Sequence, residues 1–338
     1  MVSGNPSTEP AAATGQYRYE PVEGFFKRPR KWTFIEVADV DVDADDNVYV
    51  FNRSPRPMMI FDKDGHFLDA WGEMSEHYFT MPHGLNVGAD GFIYTADTGD
   101  HTVRKWTKDG RLVLRLGRVH INAAEHSGQP FNRPTNFAVA SNGDLYVSDG
   151  YGNAHVHCFD SSGQLKFSWG SRGHGPGQFD TVHSLFVDTE GGDKVYVADR
   201  YNNRVQFFTA RGEFLGEWGG LVLPTSVRKG PDNVFYIAEL HHRVTVCGAD
   251  GTVFARWGEG VEVDDEETGS GRGLALPTAP ARNPMLRGKV VKEPGAGLFG
   301  SPHGIAVDSQ GGLYVAEVSE SVGGLDRGDR SIQKFVRI

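Results

Sequence analysis

Hydrophobic and polar residues alternate in short runs along most of this chain, and the runs come in sets of four. Leu145 and Val147, Val195 and Val197, and Leu313 and Val315 show the two-residue period of half-buried β-strands. Between the runs stand D-G, N-G and S-G pairs, which supply the positive-φ residues of tight hairpins. One set reads HGLNVGADGFIYTADTGDHTVRKWTKDGRLVLRLG and another HSLFVDTEGGDKVYVADRYNNRVQFFTARGEFLGEWG. Four of the sets close on Trp-Gly, at Trp71, Trp169, Trp218 and Trp257, which predicts packing between neighbouring sheets.

The set recurs six times, and four short strands per repeat predict an all-β, six-bladed β-propeller. The last repeat, starting at His303 and ending in SIQKFVRI, lacks a fourth strand. The segment Tyr17–Phe26 is expected to supply it and close the ring, leaving no wide sheet edge. Ring folds exceed the usual domain size, so residues 16–338 are read as one domain. Residues 1–15, rich in Pro, Ser and Ala, are expected to be a disordered tail. Residues 259–297 are an insertion between the fifth and sixth repeats, with an acidic run that includes Asp265, Glu266 and Glu267. Its length suits a lid or a rim as well as a plain solvated loop.

A net charge of −10 argues against a nucleic-acid-binding face. No apolar run reaches membrane-spanning length, so no membrane partner is expected. The N-terminus lacks a charged start followed by an apolar core, so no secretory signal is read. The two cysteines, Cys158 and Cys247, fall in non-adjacent repeats. They are expected to be buried free thiols, and the chain to be cytoplasmic.

The chemistry concentrates at one repeat position. Aligning the repeats on their first strands gives Ala38, His83, Thr135, His183, Thr225 and His303. The first strand of a blade lines the central channel, and alternate blades stand about 120° apart. Three imidazoles at that spacing can converge on one point. They would leave a coordination position open, the arrangement of a catalytic zinc site. Imidazoles also suit other divalent transition metals.

The loop after each second strand should open onto the same mouth. In the first repeat it carries Arg53, a candidate clamp for a substrate carboxylate. In the third it carries Tyr151 (SDGYGN), with Asn153 beside it. A tyrosine beside a metal and an arginine is favoured as phenolate and can act as a base. His241 and His242 occupy the corresponding loop of the fifth repeat. His155 and His157 alternate along a third strand, from which one of them could reach the channel.

These motifs are similar to those of the peptidyl-α-hydroxyglycine α-amidating lyases (peptidylamidoglycolate lyases), which are NHL-type propellers. The resemblance covers about residues 36 to 338, the insertion excepted. It implies zinc on His83, His183 and His303 from the MPHGL, TVHSL and SPHGI segments. It implies Arg53 and Tyr151 as catalytic residues, with Asn153 and Ser301 as candidate substrate contacts; His242 joins them from its loop position at the same mouth. It also implies a structural calcium on the backbone carbonyls of Val40 and Leu85 and on an aspartate after the third histidine. That residue here is Gly304, so a charged ligand is missing and the calcium site is expected to be weakened. Ser301 stands where the family has methionine, which makes the pocket wall smaller and more polar.

The expected reaction is cleavage of the C–N bond of an N-acyl-α-hydroxyglycine to an amide and glyoxylate. The substrate would be a small molecule or a short peptidyl chain ending in a carboxylate. Two alternatives stand beside it: a metal-dependent hydrolase or dehydratase of another small hydroxy acid such as a ureidoglycolate-like compound, and a non-enzymatic NHL interaction propeller. The metal's identity and the oligomeric state are open at this point.

Overall fold

The computed structural model describes residues 17–75, 78–258, 262–264, 289–291 and 295–338. They form six four-stranded antiparallel sheets and one two-stranded pair. The first blade runs Val37–Val42, Val48–Asn52, Met58–Phe61 and Phe67–Trp71, each strand pairing with the next. The second blade starts at Pro82–Val87, the third at Asn136–Val139, the fourth at Val182–Asp188 and the fifth at Pro224–Lys229. The sixth contains Pro302–Val307, Leu313–Glu317 and Ile332–Arg337, and its fourth strand is Tyr19–Pro21. The expected closure is therefore seen, through a shorter N-terminal strand than Tyr17–Phe26. Beyond it, Phe25 and Phe26 pack on the core between blades six and one instead of continuing the sheet.

First strands of successive blades touch all the way round, so they enclose a common channel. Apolar clusters fill the gaps between blades; Trp71, Phe79 and Trp106 lie in one and Tyr196, Trp218 and Phe235 in another. The hairpin glycines serve this packing as well as the turn. Gly110, Gly212 and Gly251 have φ of +80°, +80° and +83°. A Cβ on them would meet Trp71, Trp169 and Trp218 of the preceding blade at 2.7, 2.7 and 2.6 Å. Each turn thus needs glycine for its backbone, and the tryptophan needs the same position to have no side chain.

Acids at the ends of the second strands organise the segments that lead into the first strands. Asp97 accepts the N–H groups of Thr80 and Met81, Asp149 that of Asn132, and Asp199 that of Asp180. Glu317 accepts those of Gly300 and Ser301. Cys158 and Cys247 are buried free thiols, pushed up to about 11 and about 12 by burial. No helix among the described residues is long and apolar enough to cross a membrane. The tail 1–15 and most of the 259–297 insertion lie outside the described residues. The insertion's described part includes a pair of strands, Glu262–Asp264 with Lys289–Val291.

The closing strand pairs with Phe335, Val336 and Arg337 through its backbone, and Tyr19 seats it against blade five. Its ring stacks on Trp257 at 5.0 Å and its hydroxyl hydrogen-bonds the Tyr236 hydroxyl at 2.9 Å. Tyr19→Ala should cost about 2–4 kcal/mol and lower the midpoint of thermal unfolding by several degrees. An unchanged midpoint would mean that the strand is held by its backbone pairing without help from this side chain.

Candidate metal centre

His83, His183 and His303 sit on the first strands of blades two, four and six. Each stands at an irregularity in the ladder: pairing shifts between Pro82 and Gly84, between Val182 and Ser184, and between Pro302 and Gly304. A bulge of this kind leaves one residue unpaired and re-aims its side chain. Here the unpaired residue is the histidine. The glycines that follow His83 and His303 have a separate reason. A Cβ at Gly84 would lie 2.4 Å from the Thr135 carbonyl oxygen, and one at Gly304 would lie 2.7 Å from the Cα of Asp39. Only glycine lets the next blade approach so closely.

That approach delivers a hydrogen-bond acceptor. Nδ1 of His83 donates to the Thr135 carbonyl at 2.7 Å, that of His183 to Thr225 at 2.8 Å, and that of His303 to Ala38 at 2.6 Å. A carbonyl only accepts, so Nδ1 carries the proton in all three rings. The lone pair is then on Nε2. The three rings converge, with centroids 4.6–4.9 Å apart, and one donor nitrogen from each lies within 4.8 Å of the others. Three neutral imidazoles with Nδ1 anchored and Nε2 turned inward fit a divalent transition metal.

Burial fixes that neutrality. It holds His83 and His183 well below the ordinary histidine value, and His303 is lowered to about 3. The positive charge of Arg200 pushes all three in the same direction, and that of Arg53 does so for His83 and His303. Both arginines follow the end of a second strand, in blades one and four, which face each other across the ring.

Tyr151 reaches the centre from blade three. Its hydroxyl lies 2.9 Å from Nε2 of His83 and 3.2 Å from Nε2 of His183. The Arg200 guanidinium donates to the same hydroxyl at 3.3 Å through Nη1, and to the Tyr201 hydroxyl at 3.3 Å through Nη2. Arg200 is only 5 % exposed, and its Nε has no hydrogen-bond partner. No described carboxylate forms an ion pair with it. The Arg133 guanidinium stands 5.1 Å from the centre of the Tyr151 ring. A cavity of about 90 Å³ opens here, lined by Tyr151, Arg200, Tyr201, Arg133 and Asn153 among others.

The remaining candidates are placed differently. Arg53 donates to Glu36 at 2.7 Å, and also to the Pro82 carbonyl and the Ser321 hydroxyl. Asn153 is committed to its own loop: its amide bonds Asp149, the Gln129 carbonyl and the Gly128 N–H. His242 is held by the Gly300 carbonyl, and Ser301 is buried just ahead of Pro302 and His303. Neither His155 nor His157 reaches the channel. Their rings stack 6.0 Å apart within blade three, where His157 bonds Ser168 and Asp149. Third strands stand two places back from the channel, so no residue on them could join the triad. Sequence reasoning missed Arg200, although it occupies the repeat position of Arg53.

Family models match the chain as a "6-bladed beta-propeller" over residues 132–237 and as "NHL repeat" over residues 79–106 and 299–321. NHL repeat-containing protein 3 of Homo sapiens is 32% identical over 219 residues, which is 60% of this chain and 61% of that protein. The probable peptidyl-alpha-hydroxyglycine alpha-amidating lyase pgal-1 of Caenorhabditis elegans is 31% identical over 228 residues, 66% of this chain and 61% of its own length. Peptidylglycine alpha-amidating monooxygenase of Rattus norvegicus is 37% identical over 151 residues, 42% of this chain and 15% of that protein. The chain thus spans about three fifths or less of the curated relatives it matches. A solved streptogramin B lyase superposes with a TM-score of 0.57 at 13% identity, covering 95% of this chain and 98% of the other, and it speaks for the fold alone. The chain is a six-bladed β-propeller in which two segments match NHL repeats, and over part of its length it is similar to amidating lyases.

The buried neutral histidines make metal-free protein sensitive to acid. The folded His303 takes a proton near pH 3 and the unfolded one near 6.5. Between those values only the unfolded chain is protonated, so stability falls as pH falls from 6.5. The slope is at most about 1.4 kcal/mol per pH unit for each histidine. Metal-free wild type should lose stability more steeply between pH 6.5 and 5 than metal-free His303→Asn, as read by urea unfolding. Equal slopes would mean that His303 is open to protons in the folded state.

Proposed function

We propose that this protein is a metal-dependent lyase that splits N-acyl-α-hydroxyglycines into an amide and glyoxylate. The observation that carries the reading is the Tyr151 hydroxyl, set between two inward-facing imidazole nitrogens and a buried guanidinium with no described carboxylate partner. The similarity to amidating lyases supports it. His83, His183 and His303 would hold the metal, zinc suiting this donor set. When bound, the metal would supply Lewis acidity that favours ionisation of the substrate's hydroxyl.

The chain's own residues account for the other steps. The substrate is R-CO-NH-CH(OH)-COO⁻. Arg200 offers its unpartnered Nε edge to the carboxylate and, through Nη1, donates to the Tyr151 hydroxyl. Arg53 is tied to Glu36, so it contributes positive potential beside His83 and His303 more readily than a forked clamp. Tyr151, as phenolate, takes the hydroxyl proton. The electrons of that O–H bond form the aldehyde C=O, and the C–N bond breaks. The amide nitrogen then recovers a proton from Tyr151, which leaves R-CO-NH₂ and glyoxylate. Asn153 holds the Tyr151 loop in place through Asp149.

Tyr151→Phe should lower kcat for glyoxylate release by roughly 10²-fold or more while elemental analysis still finds one metal per chain. His183→Ala should lose metal and activity together. Arg200→Gln should lower kcat/KM by a similar factor with metal retained. Loss of metal from Tyr151→Phe would remove its assignment as base. Metal-loaded wild type that released no glyoxylate from any N-acyl-α-hydroxyglycine would remove the lyase reading and leave the hydroxy-acid hydrolase or dehydratase.

A further inference from the structure

Directly below the histidines, the channel is crossed by charged side chains that the proposed reaction does not use. Asp39 is buried; its Oδ2 accepts the Leu85 N–H at 2.8 Å and the Asn136 amide at 3.3 Å, and its Oδ1 accepts its neighbour's N–H. Asp41 accepts the Val87 N–H at 2.8 Å and the Asn86 amide at 3.2 Å. From blade five comes Arg228, 6 % exposed, whose Nη2 donates to the Leu85 carbonyl at 3.2 Å and whose Nη1 donates to that of Val227 at 3.0 Å. Burial raises both carboxyls, Asp39 to about 7, and the positive charge of Arg228 is the largest influence opposing this in each.

The resemblance to amidating lyases puts a calcium ion at this level, on the carbonyls of Val40 and Leu85 and a side chain at position 304. The residues present do not fit it. Calcium wants six to eight oxygens at about 2.3–2.6 Å. The Leu85 carbonyl already accepts from a guanidinium, so an ion on it would sit beside a fixed positive charge. Position 304 is glycine, and the place of its missing side chain is taken by Asp39, whose Oδ1 would lie 2.3 Å from a Cβ there and whose carboxylate is already spent on the Leu85 and Val40 N–H groups and the Asn136 amide.

We infer that the Arg228 guanidinium is a built-in cation that takes the place of a divalent ion in this channel, and that with Asp39 and Asn136 it sets the spacing of the histidine triad. The second half follows from where these residues lie. The carbonyls that anchor the three Nδ1 atoms belong to Ala38, Thr135 and Thr225. Asp39 and Asn136 directly follow the first two, and Arg228 lies three residues after the third on the same strand. Blades one, three and five, which carry the anchors, are thus linked below the triad by side chains, with Leu85 of blade two as a common partner. This second half rests on the metal reading of the triad; the first half does not.

Two measurements separate them. Calcium titrated calorimetrically into the whole protein, with its transition metal removed, should give no binding and no rise in melting temperature. One calcium per chain in the purified protein, or stoichiometric binding, would overturn the built-in cation. Arg228→Met should lower the melting temperature and also weaken zinc binding by roughly tenfold, read by competition with a chromophoric chelator, and Arg228→Lys should recover part of both. Wild-type zinc affinity in Arg228→Met would overturn the spacing role even if stability fell. Should that variant fail to fold, Asn136→Ala decides: weaker zinc binding is expected, and unchanged affinity refutes the role. Zinc binding without glyoxylate release leaves this inference standing while the lyase reading fails.

Discussion

Each of three buried histidines gives its Nδ1 proton to a carbonyl of the neighbouring blade, and the centre of this molecule is arranged around those bonds. The bond decides the tautomer, and so which nitrogen faces the axis. It also requires two backbones to come close, which explains the glycines of MPHGL and SPHGI. Six blades thereby divide into two sets of three. Even-numbered blades supply imidazoles, and odd-numbered blades supply the carbonyls that orient them. A neutral imidazole with one nitrogen satisfied is also the form that tolerates burial best, because an imidazolium here would lose its hydration beside two arginines.

The ring's repetition shows again in the charges. Arg53 and Arg200 hold one repeat position in opposite blades, yet their surroundings give them different work. Glu36 pairs with the first at 2.7 Å, whereas the second meets, among the described residues, tyrosine hydroxyls and no carboxylate. A chain with a net charge of −10 thus keeps at its centre a guanidinium that no described carboxylate pairs with. Buried positive charge without a carboxylate is expensive, and the cost is sensible where an anion is to be bound. The same logic runs in reverse below the triad, where buried carboxylates find Arg228 on a first strand.

The blades and their closure were legible because strand alternation and hairpin glycines are local signals, and so were the histidines, because they share one phase. What could not be read was what each polar group was already bound to. Asn153 looked free to meet a ligand, but its amide is spent on Asp149 and two backbone groups. His157 alternates as a channel residue would, but its strand stands behind the channel and its ring is held by Asp149 and Ser168. Arg200 escaped notice for the opposite reason: an arginine in a polar turn is common, and only the missing partner sets it apart. Arg228 lies in TSVRKG, where nothing local says that the side chain turns inward to a carbonyl of blade two.

Tyr151 and Tyr201 show how a repeat diversifies. They occupy equivalent positions in adjacent blades, and both hydroxyls accept from Arg200. Only Tyr151 also reaches two imidazoles, because its blade lies between those of His83 and His183 and gives up its own histidine for Thr135. Thr135 in turn bonds Ser148 and the Val182 carbonyl, tying blade three to blade four just before His183. Blade three thus carries threonine rather than a fourth imidazole at this position. Alternation of histidine with smaller residues is therefore more than a way to space three ligands. It leaves room beside the triad for a side chain of another kind, here the Tyr151 phenol.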